Sequence, residues 1–326
     1  MTTLVTGGTG FLGGHLVSRL LERGESVRVL VRREADGSAL AGTELALGDV
    51  RDRAAVERAV DGCACVYHLA GLTTRERHSR AEFLAVNAAG TEIVASAAAR
   101  TGARRIVLAS STSVYGGLAR CHEIGEDAPL RPDTPYGRSK VEAERVVRRV
   151  EGETGLAAVV ARIGSTLGPS SKAWAGLFSD IAAGRYRLVG RGENHHHWGH
   201  VDDIVEGLVR CGESPAASGG VYNLTGPESA PLRRLVEMIA DATGGSEPRR
   251  SRLPAGALAL YGYANRAAEG LAGAQLPRYD RVEFFVGDRV FDLSRAREEL
   301  GHVPRIPLQE SIRRTAEWLA DAGRSA

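Results

Sequence analysis

Six short runs rich in β-branched and apolar residues mark the first half of the chain: Thr3 to Val5, Val27 to Val31, Glu44 to Leu47, Cys63 to Leu69, Arg105 to Ala109 and Ala157 to Arg162. The segments between them have a helical period. In Phe11 to Arg23, Leu12, Leu16 and Leu20 join Val17 and Leu21 in one apolar stripe that stops at Gly24. Runs that are apolar on both faces and separated by amphipathic helices predict an α/β fold, a doubly wound parallel sheet covered on both sides. Ligands of such a sheet bind beyond the carboxyl ends of its strands. After Arg162 the rhythm loosens into Gly, Ser and Pro around Gly164 to Ser171. The pattern therefore divides the chain into a sheet domain over residues 1–165 and a smaller C-terminal substrate-binding lobe over 166–326, with a return to the sheet near 200–225. The glycine-dotted stretch Pro254 to Gly273 is expected to pack on the substrate cleft.

Composition narrows the partners. With 326 residues, 43% hydrophobic and 25% charged, and a net charge of +2, the chain has no like-charge block to attract nucleic acid or an acidic membrane. A small-molecule substrate is expected instead. Cys63, Cys65, Cys121 and Cys211 form no spaced framework and read as reduced, buried thiols. A strand begins within a few residues of Met1, leaving no room for a signal peptide, and no apolar run approaches membrane-spanning length. A cytoplasmic protein is the expectation. Only two of the 42 basic side chains are lysines, Lys140 and Lys172, so each invites a reason.

The chemistry-bearing residues fall where the strands end. Thr6-Gly7-Gly8-Thr9-Gly10-Phe11-Leu12-Gly13 turns the first strand into the first helix. Glycines there let backbone approach a pyrophosphate, and the helix N-terminus stabilises its charge. Gly7, Thr9, Gly10, Phe11, Leu12 and Gly13 are thus candidate dinucleotide contacts. Arg32 and Arg33 stand just past the second strand, where an acid would accept from a ribose hydroxyl and an arginine suits a 2′-phosphate. This favours NADP over NAD. Asp49 and Val50 are placed for the adenine, and Leu69, Ala70 and Gly71 for the phosphates and ribose.

Tyr136 and Lys140 share one face at the start of a helix, where a cation beside the phenol favours phenolate. Ser110 to Gly116 follows the fifth strand and brings hydroxyls to the same edge, with Ser111 chosen as donor to a substrate oxygen. Three consecutive histidines, His195 to His197, point different ways on a loop and lack a completing carboxylate or cysteine pair, so no metal is expected.

Thr6 to Gly13, Asn87 to Thr91, Ser111 to Gly116, Tyr136 to Lys140 and His200-Val201-Asp202-Asp203 together resemble the extended short-chain dehydrogenase/reductases, in order and spacing across nearly the whole chain. The segment from Asp292 to Gly301 and the final helix resemble that family's C-terminal pattern. The resemblance implies a Rossmann sheet, Ser111 as catalytic hydroxyl, Tyr136 as proton donor or acceptor, Lys140 on the nicotinamide ribose, and Asn87 supporting the site. It also makes a homodimer through helices beginning near Phe83 and Tyr136 plausible.

Relatives that eliminate water from sugar nucleotides, or decarboxylate them, place an acid beside the catalytic hydroxyl, where this chain has Thr112 and Ser113. Elimination then lacks an acid/base partner. Sugar-nucleotide epimerases carry diphosphate-anchoring arginines where His196 and Val286 stand, although Arg281 or Arg289 offers a substitute. The pattern is nearest to hydroxysteroid dehydrogenases and dihydroflavonol reductases, which interconvert ketones and secondary alcohols. Epimerase and a non-catalytic dinucleotide sensor are the rivals. Thr112, Ser113, Arg162, His196 and Trp198 are the substrate-side candidates.

Overall fold

A computed structural model of the chain describes residues 2–33, 40–74, 76, 78–116, 123–245, 249–250, 260, 264 and 287–324. Cys121, Arg281, Val286 and nearly all of Pro254 to Gly273 lie outside them.

The strands are β1 (Thr2–Thr6), β2 (Ser26–Val31), β3 (Glu44–Leu47), β4 (Cys63–His68), β5 (Arg105–Ser111), β6 (Ala157–Ile163), β7 (Ser165–Leu167), β8 (Arg187–Leu188), β9 (His195–His196), β10 (Trp198–His200), β11 (Val221–Leu224), β12 (Ala230–Pro231) and β13 (Arg249–Arg250). Seven of them form one parallel sheet in the order β11-β6-β5-β4-β1-β2-β3. The order reverses between β1 and β4, which opens a crevice at their carboxyl ends. β5 runs two residues further than its apolar run suggested. Ser110 and Ser111 belong to the strand because β6 continues alongside, pairing Arg162 and Ile163 with them.

The helices are α1 (Phe11–Glu22), α2 (Arg53–Val60), α3 (Arg80–Phe83), α4 (Gly90–Arg100), α5 (Pro135–Thr154), α6 (Ala175–Ala182), α7 (Val201–Glu213), α8 (Leu232–Thr243), α9 (Ser294–Leu300) and α10 (Leu308–Arg324). Alternation along each strand feeds two cores. Val5, Val107 and Ala109 face α1, α7 and α9, where Leu16, Ile204, Leu208 and Leu300 are buried. Leu4, Ile106 and Leu108 face α2, α4 and α5, where Val56, Val94 and Val147 are buried. Each valine, leucine or isoleucine among them contributes about 1.5–3 kcal/mol by leaving water. A third core gathers Phe178, Trp198, Leu235 and Ile312 from α6, β10, α8 and α10 beside the carboxyl edge of the sheet. Among the described residues, no helix is long and apolar enough to cross a membrane.

Candidate active site

The carboxyl ends of the strands surround a cleft of about 820 Å³. At its floor the chain leaves β1 through Gly7, whose φ of +76° suits glycine, and enters α1 at Gly10. A side chain at Gly7 would stand 2.6 Å from the Ala70 nitrogen, and one at Gly13 would stand 2.1 Å from the Gly7 carbonyl oxygen. Neither position has room for a Cβ. Gly10 supplies no side-chain cap, so the first amides of α1 face the cleft without a protein acceptor from the cap residue. Thr9, Phe11 and Leu12 also line this turn. The cradle fits a dinucleotide pyrophosphate in shape and in dipole.

At the adenosine end, Arg32, Asp49 and Val50 line the cleft together with Arg51. Arg51 grips Asp49 with both arms, Nε to Oδ1 at 2.8 Å and Nη2 to Oδ2 at 2.9 Å, and its amide donates to Oδ1 as well. These bonds hold the Asp49 carboxyl below its ordinary range, with Arg32 assisting through space. Asp49 is therefore already occupied, and two guanidinium groups border this end. Sequence reasoning missed Arg51, although it stands only two residues past the residue singled out. Arg33 is exposed and does not line the cleft, because successive side chains leaving β2 point to opposite sides.

The reacting end is built by β5 and α5. Thr134 caps α5 by accepting from Gly137 N at 3.0 Å, and Pro135 starts the helix, which fixes Tyr136 in its first turn. Burial pushes the Tyr136 phenol up, and a hydrogen bond with Ser111 pulls it partly back. Ser111 Oγ donates to Ser113 Oγ at 3.1 Å. The phenol and the two hydroxyls thus stand together on the cleft wall, which Thr112 also lines. Phe83 packs edge-on to Tyr136 with ring centres 6.0 Å apart. Lys140 is buried, donates to the Ala109 carbonyl at 2.8 Å, and lies 5.9 Å from the centre of the Tyr136 ring. Burial lowers its pKa to about 8, against the opposing pull of Glu144.

Asn87 does not line the cleft but ties its walls together from within the π-helical turn Leu84–Ala89. Its amide accepts from Leu72 N at 2.8 Å and donates to Leu72 O at 3.1 Å and to Ser139 Oγ at 2.9 Å. Behind Gly71, His68 is held neutral. Thr91 Oγ1 gives its one proton to the Asn87 carbonyl, so the His68 proton sits on Nε2, which donates to Thr91 Oγ1. The bare Nδ1 accepts from Thr6 Oγ1, 2.7 Å away, which itself accepts from Ala70 N. Burial and the nearby Lys140 lower its pKa to about 3.

Three substrate-side candidates sit away from the cleft. Arg162 is buried in an ion pair, its Nη2 2.8 Å from Glu144 Oε2, and it also donates to Tyr115 OH and the Glu126 carbonyl. Those bonds turn it away from substrate. His196 is buried at 2% exposure beside Asn194, and Trp198 at 1% exposure is stacked beneath Trp174, 4.3 Å between ring centres. Trp174, not Trp198, reaches the cleft, as do Lys172 and Arg289. Of the other histidines, His195 lies 3.7 Å from Asp288, and His197 donates to the Gly226 carbonyl while accepting from Phe291 N. The unusual lysine at 172 was the signal for this wall. Nothing local announced Trp174.

The sequence profile of the NAD dependent epimerase/dehydratase family matches residues 3–225. The chain belongs to that family. Its fold is accordingly an NAD-binding one, and the relatives of this epimerase/dehydratase chain span both oxidoreductases and epimerases. Sterol demethylase protein B of Methylococcus capsulatus is 32% identical over 93% of this chain and 94% of its own. The 4-hydroxy-2-methyl-3-oxo-4-farnesyl-3,4-dihydroquinoline-1-oxide ketoreductase of Stigmatella aurantiaca is 31% identical, over 96% and 95%. The crystal structure of UDP-glucuronic acid 4-epimerase from Bacillus cereus in complex with NAD shares the fold, with a TM-score of 0.80 at 19% identity over 100% of this chain and 99% of that one.

Proposed function

We propose that this epimerase/dehydratase-family chain is an oxidoreductase that interconverts a ketone and a secondary alcohol on a small molecule, using NADP in preference to NAD. The observation that carries this reading is that the Ser111 hydroxyl and the Tyr136 phenol line one cleft wall, with Lys140 buried 5.9 Å from the centre of the phenol ring. A bound reduced nicotinamide supplies the hydride. Tyr136 gives its proton to the carbonyl oxygen as that oxygen becomes an alcohol, and Ser111 turns its hydroxyl proton from Ser113 to the same oxygen. Lys140, at the head of the cleft, holds the nicotinamide ribose and favours the phenolate left on Tyr136. Oxidation of the alcohol runs the same transfers backwards. Arg32 and Arg51 support the NADP preference, since two guanidinium groups at the adenosine end suit a 2′-phosphate. The ketoreductase relative supports the reaction class.

A second reading, epimerisation of a sugar nucleotide, is favoured by one feature, Arg289 on the cleft wall, which offers a cation to a diphosphate. The test incubates purified protein with NADPH and panels of cyclic ketones and keto-sugar nucleotides, following cofactor absorbance and product together. Stoichiometric cofactor oxidation with alcohol formation is expected. Epimerised sugar nucleotide with no net oxidation, and no turnover of ketones, would overturn the reading.

A further inference from the structure

The proposed reaction leaves one of the two lysines without a role. Lys172 is exposed at the mouth of the cleft and, among the described residues, its ammonium makes no hydrogen bond or ion pair. Most of the described arginines, by contrast, are matched with a carboxylate or a carbonyl.

The lysine is also firmly rooted. Its loop turns at Gly168, φ +137°, and at Ser170, whose φ of +71° is unusual for a residue with a side chain. The loop is fastened at Gly168 N to Thr315 Oγ1 at 2.8 Å, at the Pro169 carbonyl to His15 Nε2 at 3.0 Å, and through fully buried Ser171 to the Thr166 carbonyl. Immediately after it, Trp174 stacks on Trp198. A left-handed serine and a buried anchor are costly features for a loop that only presents a solvated charge.

Arg289 reaches the same cleft from a second segment, fixed by its own amide to the His195 carbonyl at 2.8 Å and by His195 N to Asp288 at 2.7 Å. Among the described residues lining the cleft the carboxylates are Asp49 and Glu82, and both are engaged. Asp49 is gripped by Arg51 at the far, adenosine end, and Glu82 accepts from the Ser79 amide and hydroxyl. Among the described residues, the substrate side therefore presents two basic side chains from two anchored segments and no carboxylate assigned to neutralise Lys172.

We propose that the substrate carries an oxyanion, a carboxylate or a phosphate, away from its reacting carbonyl, and that Lys172 and Arg289 receive it. The inference locates that group with respect to the proposed reacting end, and so rests on that reading. Binding the charge there would orient the ketone against Ser111 and Tyr136, the role that remote contacts play in positioning.

Two measurements test it. The first compares kcat/KM with NADPH for 4-oxocyclohexanecarboxylate and its methyl ester. Wild-type protein should prefer the acid, and in Lys172→Met the acid-to-ester ratio should fall roughly fivefold to tenfold, the scale of one partly exposed ion pair. The second needs no turnover: binding of cyclohexanecarboxylate, cyclohexyl phosphate and cyclohexanecarboxamide to the NADP-loaded protein, read by calorimetry and by tryptophan fluorescence. One or both anions should bind more tightly than the amide, weaken with added salt, and lose that advantage in Lys172→Met. The tighter anion identifies the chemistry. A ketone reduced with no preference for the acid would overturn this inference and leave the reductase reading intact. Anion binding without ketone reduction would do the reverse. Equal or absent binding of all three probes overturns the inference outright.

Discussion

The amide of Asn87 donates to the Ser139 hydroxyl at 2.9 Å, and that hydroxyl donates to the carbonyl of Tyr136 at 2.7 Å. The π-turn residue and the candidate acid are therefore joined through a single buried serine. Asn87→Ala should strand Ser139 and the Leu72 amide, costing about 1–3 kcal/mol of stability, and should lower kcat more than cofactor affinity. Because both side chains serve one link, Asn87→Ala and Ser139→Ala should be clearly non-additive. Additive losses in urea unfolding and in kcat would separate Asn87 from Tyr136.

Tyr136→Phe keeps the ring against Phe83 and removes only the hydroxyl. Turnover should fall by roughly two to four powers of ten while cofactor binding and unfolding midpoint stay close to wild type. Near-normal kcat in the folded variant would remove Tyr136 from the chemistry.

Arg32→Asp places an anion where a 2′-phosphate would sit, and Arg51→Ala also frees Asp49. Each should lower the NADPH-to-NADH ratio of kcat/KM, by about tenfold or more for the charge reversal. A wild-type preference for NADH, measured in the same assay, would contradict both.

Two buried bases, His68 and Lys140, each add a slope to the pH dependence of stability. For His68, ordinary pKa 6.5 and about 3 when folded, the unfolded chain takes up a proton across that window which the folded chain refuses, so stability rises with pH from about 3 to 6.5. For Lys140, ordinary pKa 10.5 and about 8 when folded, the unfolded chain keeps a proton that the folded chain has released, so its burial cost is full below about 8 and is relieved as pH rises towards 10.5. Urea unfolding across pH should show each slope, flattened in the acid window by His68→Gln and in the alkaline window by Lys140→Met. Unchanged slopes would mean that neither group is desolvated as described.

Glu144 and Arg162 are each about 5–6% exposed and pair across α5 and β6. Glu144→Ala leaves the guanidinium buried beside Tyr115 and should cost about 3–5 kcal/mol, whereas Glu144→Leu combined with Arg162→Met should recover much of it. Equal losses in the single and double variants would show that packing, and not charge, is decisive.

The sheet was legible because its signals are local. Apolar runs, helical stripes and Gly24 at the end of α1 all act over a few residues, and Tyr136 and Lys140 share one helix. Arg162 was not, since its partner Glu144 lies on the preceding helix and only the packing of α5 on β5 and β6 brings the charges together. Trp174 and Arg289 are set by loops whose course depends on distant anchors such as Thr315 and His195. For the same reason the run of histidines drew attention that its three separate, mostly buried partners do not reward.

One consequence follows from the position of β11. This strand seals the outer edge of β6, yet it is reached only after β7 and the loop carrying Lys172 and Trp174 have contributed to the substrate wall and β8 to β10 have been passed. A fragment cut after residue 165 would leave the β6 ladder open, with a row of unpaired amides and carbonyls inviting other chains. The nucleotide half is thus no detachable module. New specificity has to be written into the loops while the thread that closes the sheet stays whole.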